Sequence, residues 1–522
     1  MTGRTGSATL ANMKVALTLV CAVLVVIPGI AFAGGSPAQD ISIDSWIYDA
    51  VFALSSRGHF PELLLHTRPY TRGAVASYLE QIAVADRAYP LGDRILIDRL
   101  RDEFREELRT ERNDDGDEFV RLGIGPTAHI DQIRHGAARN RAGFDAVGSF
   151  GVGRSFATRA RLRVDTDGRH DSQFHGEYWK EHFTAWLEQA VLTGHVGRFT
   201  GAFGREYWRW GRSPIDAMLM SNHSPPFNGL RLLYRSTTWS FQLVATMLDS
   251  MLVPEVGKAN RYLIGHRFNW RPRHNLELAV SEVIVFGGVD RPWALNYLNP
   301  IVPYYWEQLN NDTNDNPLWN FELSWRPLNR LEVYGEWMID DFQIDFHSEP
   351  QQIGVLIGTA WTPDPQHRLL ITAEYQRINT FVYGQSRPWN RYYHHRSLDG
   401  HVIGIGATLG TDADRMTLRP TWHHSKWFDV RGLFEYVRHG ENRIDSEQAG
   451  TVPKNVPFPS GIVERRATVA LGPHIQLGGT LILDMLAGYQ RTTNVGNVDG
   501  HDQEGALFRL RLSSLVWKTF GV

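Results

Sequence analysis

Leu331 to Trp337 reads LEVYGEW: Leu331, Val333, Gly335 and Trp337 alternate with Glu332, Tyr334 and Glu336. Leu369 to Gln376 repeats the pattern, with Leu369, Ile371, Ala373 and Tyr375 set against Thr372, Glu374 and Gln376. So does Thr237 to Leu243, where Trp239, Phe241 and Leu243 face away from Ser240 and Gln242. A period of two places successive side chains on opposite faces of a strand. In a soluble sandwich the polar face meets water; in a membrane barrel the apolar face meets lipid and the polar face lines the lumen. Here the polar faces carry charges of both signs, including Arg159, Arg161, Arg163, Glu332, Glu336 and Glu374. Tight turns alternate with long polar loops, and Trp325, Trp361, Trp389, Tyr392 and Tyr393 stand near strand ends. These features favour the barrel.

Loop length then serves as a counter. Tight connections fall near Gly151–Gly153, Thr193–His195, Arg271–His274, Arg326–Arg330, Thr362–His367 and Pro473–Gly479. Long ones fall at 131–142, 167–182, 205–227, 248–258, 287–316, 341–351, 379–398, 439–461 and 492–502. Nine long loops on a closed, even sheet imply an all-β transmembrane barrel of about 18 antiparallel strands. Segments 399–410 and 413–421 together give one strand too many, and Pro420, which donates no ladder hydrogen bond, marks the second as the one outside the wall. The last strand runs from about Ala506 to Phe520, with Gly521-Val522 beyond the aromatic residue.

Upstream of the alternating region the pattern differs. Lys14, the apolar run Val15 to Ile30 and the small-residue site Ala31-Phe32-Ala33 read as a signal peptide over residues 1–33, with Met13 an alternative start. The only cysteine, Cys21, falls inside it, so the exported chain is expected to hold no disulfide. Residues 34–117 read as three amphipathic helices. The first carries Trp46, Ile47, Ala50, Val51 and Leu54 between Asp44 as N-cap and Gly58 as stop; the second follows Thr71, with Val75, Leu79 and Ile82 on one face. The third carries Ile97, Leu100, Phe104 and Leu108, with Arg101, Asp102, Glu103, Arg105, Glu106 and Glu107 on the solvated side. Asn113 to Asp117 ends helical periodicity, and residues 118–522 form the barrel.

A net charge of −3 with 21% charged residues suggests no nucleic-acid partner. There is no GxSxG or HExxH pattern, and adjacent His394-His395 and His423-His424 point to opposite faces of a strand, so no catalytic, metal or cofactor site is expected. Asp340, Asp341 and Asp345 offer paired carboxylates, read more simply as the start of a solvated loop; Glu181-His182 has no third partner, and Asp290 pairs with Arg291.

What remains suits saccharides. Sugar rings present apolar faces rimmed by hydroxyls, which aromatic platforms beside amides and guanidinium groups fit. Loop 287–316 combines Trp293, Tyr297, Tyr304, Tyr305 and Trp306 with many Asn and Asp, and loop 379–398 adds Tyr383, Trp389, Tyr392, Tyr393 and two histidines. The run Gly204 to Leu230 packs Arg205, Arg209, Arg212, Tyr207, Trp208 and Trp210 close together. A bulge at Gly204 is expected to send the tryptophans out as rim anchors and the arginines into the lumen, since arginine on the lipid face is costly. The polysaccharide-binding candidates are therefore Arg205, Arg209, Arg212, Trp293, Tyr304, Tyr305, Trp306, Trp389 and Tyr392.

In Thr67-Arg68-Pro69-Tyr70-Thr71-Arg72, Gly204-Arg205 through Trp210-Gly211, Ser221 to Phe227 and Leu298-Asn299-Pro300, the chain resembles the capsule assembly protein Wzi family. That resemblance implies an eighteen-stranded outer-membrane barrel closed at its periplasmic end by a helical bundle. It also implies a lectin-like, non-enzymatic role in holding capsular polysaccharide or exopolysaccharide at the cell surface. Expected partners are that polymer, outer-membrane lipid and the barrel-assembly machinery, with the protein a monomer. The competing expectation is a porin or gated channel for saccharides.

Overall fold

The computed structural model describes residues 36–521 apart from 85–87, 111–117, 134–138, 167, 169–170, 172–173, 177–182, 342–349, 398–399, 447–455 and 478–479. The signal peptide, Asn113 to Asp117, Glu181-His182 and Asp345 lie outside the described residues. Antiparallel strands from Glu118–Ile133 to the C-terminus form one closed barrel of 18 wall strands. The first strand closes on the last, with Ala128 opposite Leu512 and Gly123 opposite Trp517. No helix among the described residues is long and apolar enough to cross a membrane; the strands cross it.

The alternation of LEVYGEW resolves as a barrel wall. Glu332, Tyr334 and Glu336 point inward and are buried, while Trp337 on the opposite face is exposed. Thr372, Glu374 and Gln376 likewise face the lumen, beside Tyr375 on the outside. Outward tryptophans at the short-turn ends of neighbouring strands, Trp239, Trp270, Trp325, Trp361 and Trp422, mark one membrane interface. Trp389, Tyr392 and Tyr393 do not belong to this girdle, because their segment folds inside the barrel.

Two sequence expectations about the wall are overturned. Ala413–Ser425, containing Pro420, is a wall strand, whereas 399–410 is not: Val402–Gly404 pairs only with Tyr393–Arg396, in a two-stranded sheet of its own. Pro420 is tolerated because the ladder to the next strand skips from Leu418–Phe434 to Thr421–Arg431. It lies against Gly432, where a Cβ would stand 2.8 Å from the proline Cγ. Stretch 248–258 is mostly strand, its connection shrinking to three residues between Val253 and Gly257.

The helices Ile47–Ser55, Arg72–Val84, Leu91–Glu103 and Arg105–Thr110 plug the short-turn end. The third predicted helix is split at Phe104. Gly58, at φ +100°, stops the first, and the Thr71 hydroxyl accepts from Ala74 N–H at 3.3 Å to cap the second. Asp44 does not cap; it pairs with wall Arg161 at 2.8 Å. Glu103 and Glu107, read as solvated, are buried against Arg72, since this face of the helix meets protein. Arg99 donates to Asp429 and to carbonyls of the 425–426 turn, and Arg57 and His367 share Asp93. The hydrophobic core runs without a break from these helices into the lumen, where Phe52 meets Tyr334 and Leu54 joins Trp210 and Met338 in one cluster.

Candidate functional site

Two outer connections fold back down into the barrel and meet the helices. In the first, wall strand Phe199–Glu206 keeps unbroken register with both neighbours, so the expected bulge at Gly204 is absent. Gly204 instead sits at φ +130°, where a Cβ would come within 2.1 Å of the Ala190 carbonyl oxygen. Alternation leaves Arg205 on the outside, donating to the Leu187 carbonyl and to Asn228. Trp208 and Trp210 are buried in the lumen, not at the rim. Beyond Glu206 the chain leaves the wall: Arg209–Trp210 pairs antiparallel with Thr67–Arg68.

Wall carboxylates receive this inserted loop. Arg212 makes a bidentate pair with Glu332 (2.6 and 2.7 Å), donates to Ser55 Oγ and lies over the Phe52 ring. Arg209 donates to the carbonyls of Ser213 and Asp216. Ser213 and Tyr334 hydroxyls both donate to Glu374, and the Met218 N–H donates to Glu336. Arg209 and Arg212 are thus fixed inside protein, and the charged lumen that identified a barrel is neutralised by its plug. Ser221 to Phe227 is equally internal, with Ser221 bonded to Ile405 and Gly406 carbonyls.

The second inserted loop, 379–412, forms a lid over the first. Tyr392 is fully buried, donating to the Leu219 carbonyl and stacked on Tyr383 at 5.5 Å. Asp340, a proposed loop carboxylate, accepts from the Tyr383 N–H and is partly buried. The lid's outer face is different. Just beneath it, buried Tyr393 lies between two guanidinium groups, Arg261 at 3.9 Å and Arg396 at 5.9 Å. Arg396 pairs at 2.9 Å with half-exposed Asp445, Arg391 binds the carbonyls of Asp445 and Ser446, and Arg387 and part of Trp389 face outward. Beneath them His394 and His395 lie against His175, which pairs with Asp249 at 2.8 Å. Burial, reinforced by the neighbouring imidazole, pushes His395 down to about 4, and burial drives His394 well below its ordinary value.

The third long connection, 290–315, goes neither in nor up. It folds over the outside of the wall, covering outward-facing Ala245, Tyr262, Ile264, Ile284 and Phe286 with Tyr297 and Tyr304. Trp293 packs on Tyr262 at 4.9 Å, while Tyr305 and Trp306 are exposed. Of the nine candidates, Arg209, Arg212, Tyr304 and Tyr392 are therefore buried by other parts of the protein, so the surface sites expected for them are not found. Trp293, Tyr305 and Trp306 belong to the external strap, Arg205 to the outer wall, and Trp389 is the lid candidate that reaches the surface. Arg387 and Arg396, exposed beside Trp389, were not among the candidates, although cations flank the aromatic run in RPWNRYYHHR.

A closed wall, apolar outside and filled from both ends, defines an integral outer-membrane β-barrel with an internal plug. The sequence matches the family described as capsule assembly protein Wzi over residues 128–507, more than half its length, and the chain belongs to that family. A solved structure described as Wzi, an outer membrane protein involved in group 1 capsule assembly in Escherichia coli and a carbohydrate-binding β-barrel, shares the fold. It superimposes with TM-score 0.60 at 17% identity, over 91% of this chain and 99% of that one. The Pseudomonas aeruginosa barrels OprD and opdK superimpose at 0.42 and 0.44 with 10% identity, over 78% and 77% of this chain and 95% and 99% of theirs. Comparison with curated protein sequences gives no significant match.

Proposed function

We propose that this protein binds capsular polysaccharide or exopolysaccharide on the outer face of its lid and holds the polymer at the cell surface without transporting or cleaving it. The observation that carries the reading is the surface built from Arg387, Trp389 and Arg396 on the lid's outer face. Guanidinium groups offer paired donors to uronate carboxylates and ring hydroxyls, and the aromatic face offers a platform for the apolar side of a pyranose. The exposed Arg396–Asp445 pair contributes little to folding, about 1 kcal/mol at most, so a polyanion competes for Arg396 at small cost. Family membership and the carbohydrate-binding description of the Escherichia coli structure support the same reading.

The helices and inserted loops that occupy the lumen disfavour the channel alternative. The cavity between the first helix and the wall holds about 50 Å³, room for a water or two. Residues 1–33 act in this reading as the export leader, 34–117 as the plug and 118–522 as the barrel, inserted by the barrel-assembly machinery as a monomer. Capsule retention in a deletion strain, compared with release into the medium, is the test. Unchanged retention, together with no binding of purified protein to the strain's own polymer, sinks the proposal; steady single-channel current in a planar bilayer replaces it with the channel.

A further inference from the structure

The strap 290–315 stands on the wrong side of the wall for an extracellular loop. Along strand Gly257–Arg273, odd residues such as Arg261 and Arg267 bond inside the lumen, so Tyr262, Ile264, His266, Phe268 and Trp270 face outward. Trp270 belongs to the interfacial girdle. At about 3.3 Å per residue and a tilt of about 40°, His266 stands roughly 10 Å and Tyr262 roughly 20 Å above it along the barrel axis. The apolar band of such a barrel is about 25 Å tall. The row His266–Glu282, paired across two strands, is therefore at membrane depth.

At that depth the wall presents a carboxylate, and the strap covers it. Glu282 accepts from the backbone N–H groups of Tyr304 (2.8 Å) and Tyr305 (3.0 Å), at the start of the short helix Tyr304–Asn310. His266 lies 3.3 Å from the same carboxylate, under the Tyr304 ring at 4.4 Å. The side of the helix turned away from the protein is mostly apolar, with Asn310 its one exposed polar residue. Ile301 just before it is 85% exposed, Trp306 60% and Leu309 56%, while Glu307 is tied up by the amides of Asn296, Asn310 and Asn311. A helix bathed in water shows the reverse arrangement.

We propose that the strap is a membrane-embedded element, its outer face, Ile301, Tyr305, Trp306 and Leu309, packed against lipid acyl chains near mid-membrane. The face continues the barrel's own lipid-facing belt at the same height, and acyl chains are the occupant that belt already has. Glu282 is then kept in the hydrocarbon layer by the strap's backbone donors. The aromatic residues of this segment serve anchoring, and sugar recognition is left to the lid. This inference does not depend on the polysaccharide reading.

Site-directed spin labelling decides it. In a Cys21→Ser background no other cysteine remains, so Trp306→Cys or Ile301→Cys gives a single label site; Ile301 makes no buried contact, so its variant keeps the test available if Trp306→Cys misfolds. Full-length protein is reconstituted in phosphatidylcholine vesicles, with Phe203→Cys on the wall and His401→Cys on the outer loops as references. Both strap labels are expected to collide with oxygen several-fold more often than with a water-soluble nickel chelate, as the Phe203 label does. Nickel-dominated collisions matching His401 overturn the proposal. So do low collision rates with both reagents plus spin–spin broadening, which assign the face to a second copy of the chain.

Discussion

Loops 207–226 and 290–315 look alike as sequence: both are outer connections rich in Trp, Tyr and polar side chains. One runs down the inside of the wall and the other down the outside. Their landing surfaces differ. Inside, Glu332, Glu336 and Glu374 leave a ring of carboxylates that only buried donors satisfy, and the first loop brings Arg212, Ser213 and the Met218 N–H. Outside, a single carboxylate, Glu282, interrupts an apolar surface, and the second loop brings two backbone donors and two tyrosine rings. A loop goes where its donors meet matching acceptors and its apolar surface is covered.

The largest effect is expected where the inner loop is held. Arg212→Ala strands Glu332 and should destabilise the barrel by about 3–5 kcal/mol, read from urea unfolding followed by tryptophan fluorescence. Replacing both partners, Arg212→Met with Glu332→Leu, should recover most of that loss; equal loss in single and double variants contradicts the pairing account.

Next comes pH. His395 is held neutral, its ordinary value of 6.5 lowered to about 4, among His175, His394, Asp249, Arg261 and Arg205. Between those values the opened lid binds a proton that the closed lid does not, so lid stability is full above pH 6.5 and falls as pH drops towards 4. The loss amounts to roughly 3 kcal/mol at most. Hydrogen exchange of the 393–404 amides should quicken over that window, and His395→Asn should flatten the profile.

Smaller effects separate lid from strap. Trp389→Ala should weaken polymer binding by about 1 kcal/mol, roughly five-fold, with unchanged unfolding, whereas Trp306→Ala should leave binding alone. Equal losses from both variants would merge the two surfaces functionally. Least of all, Tyr304→Phe should shift stability by no more than about 0.5 kcal/mol, because its buried hydroxyl has no hydrogen-bond partner among the described residues.

Much of the wall was legible because alternation and loop length are local properties. Glu332, Tyr334 and Glu336 had to share a face whatever surrounded them. Helix positions followed equally well from Gly58 and Thr71. Pro420 misled because its tolerance depends on Gly432 in the next strand, a contact between strands that no local rule contains. Arg209, Arg212, Tyr304 and Tyr392 were read as polysaccharide contacts, but their partners are Ser213 and Asp216, Glu332, Glu282 and Leu219 within the protein.

The sequence by itself pointed to a closed barrel with a polar interior, because period-two alternation with charges of both signs on one face comes with alternating short and long connections and aromatic residues at strand ends. Only the tertiary structure decided what fills that interior and what lies on its outside. A guanidinium or a tyrosine serves a buried ion pair, a lipid contact or a sugar equally well, and the partner it meets depends on which way the chain turns beyond Glu206 and Val289.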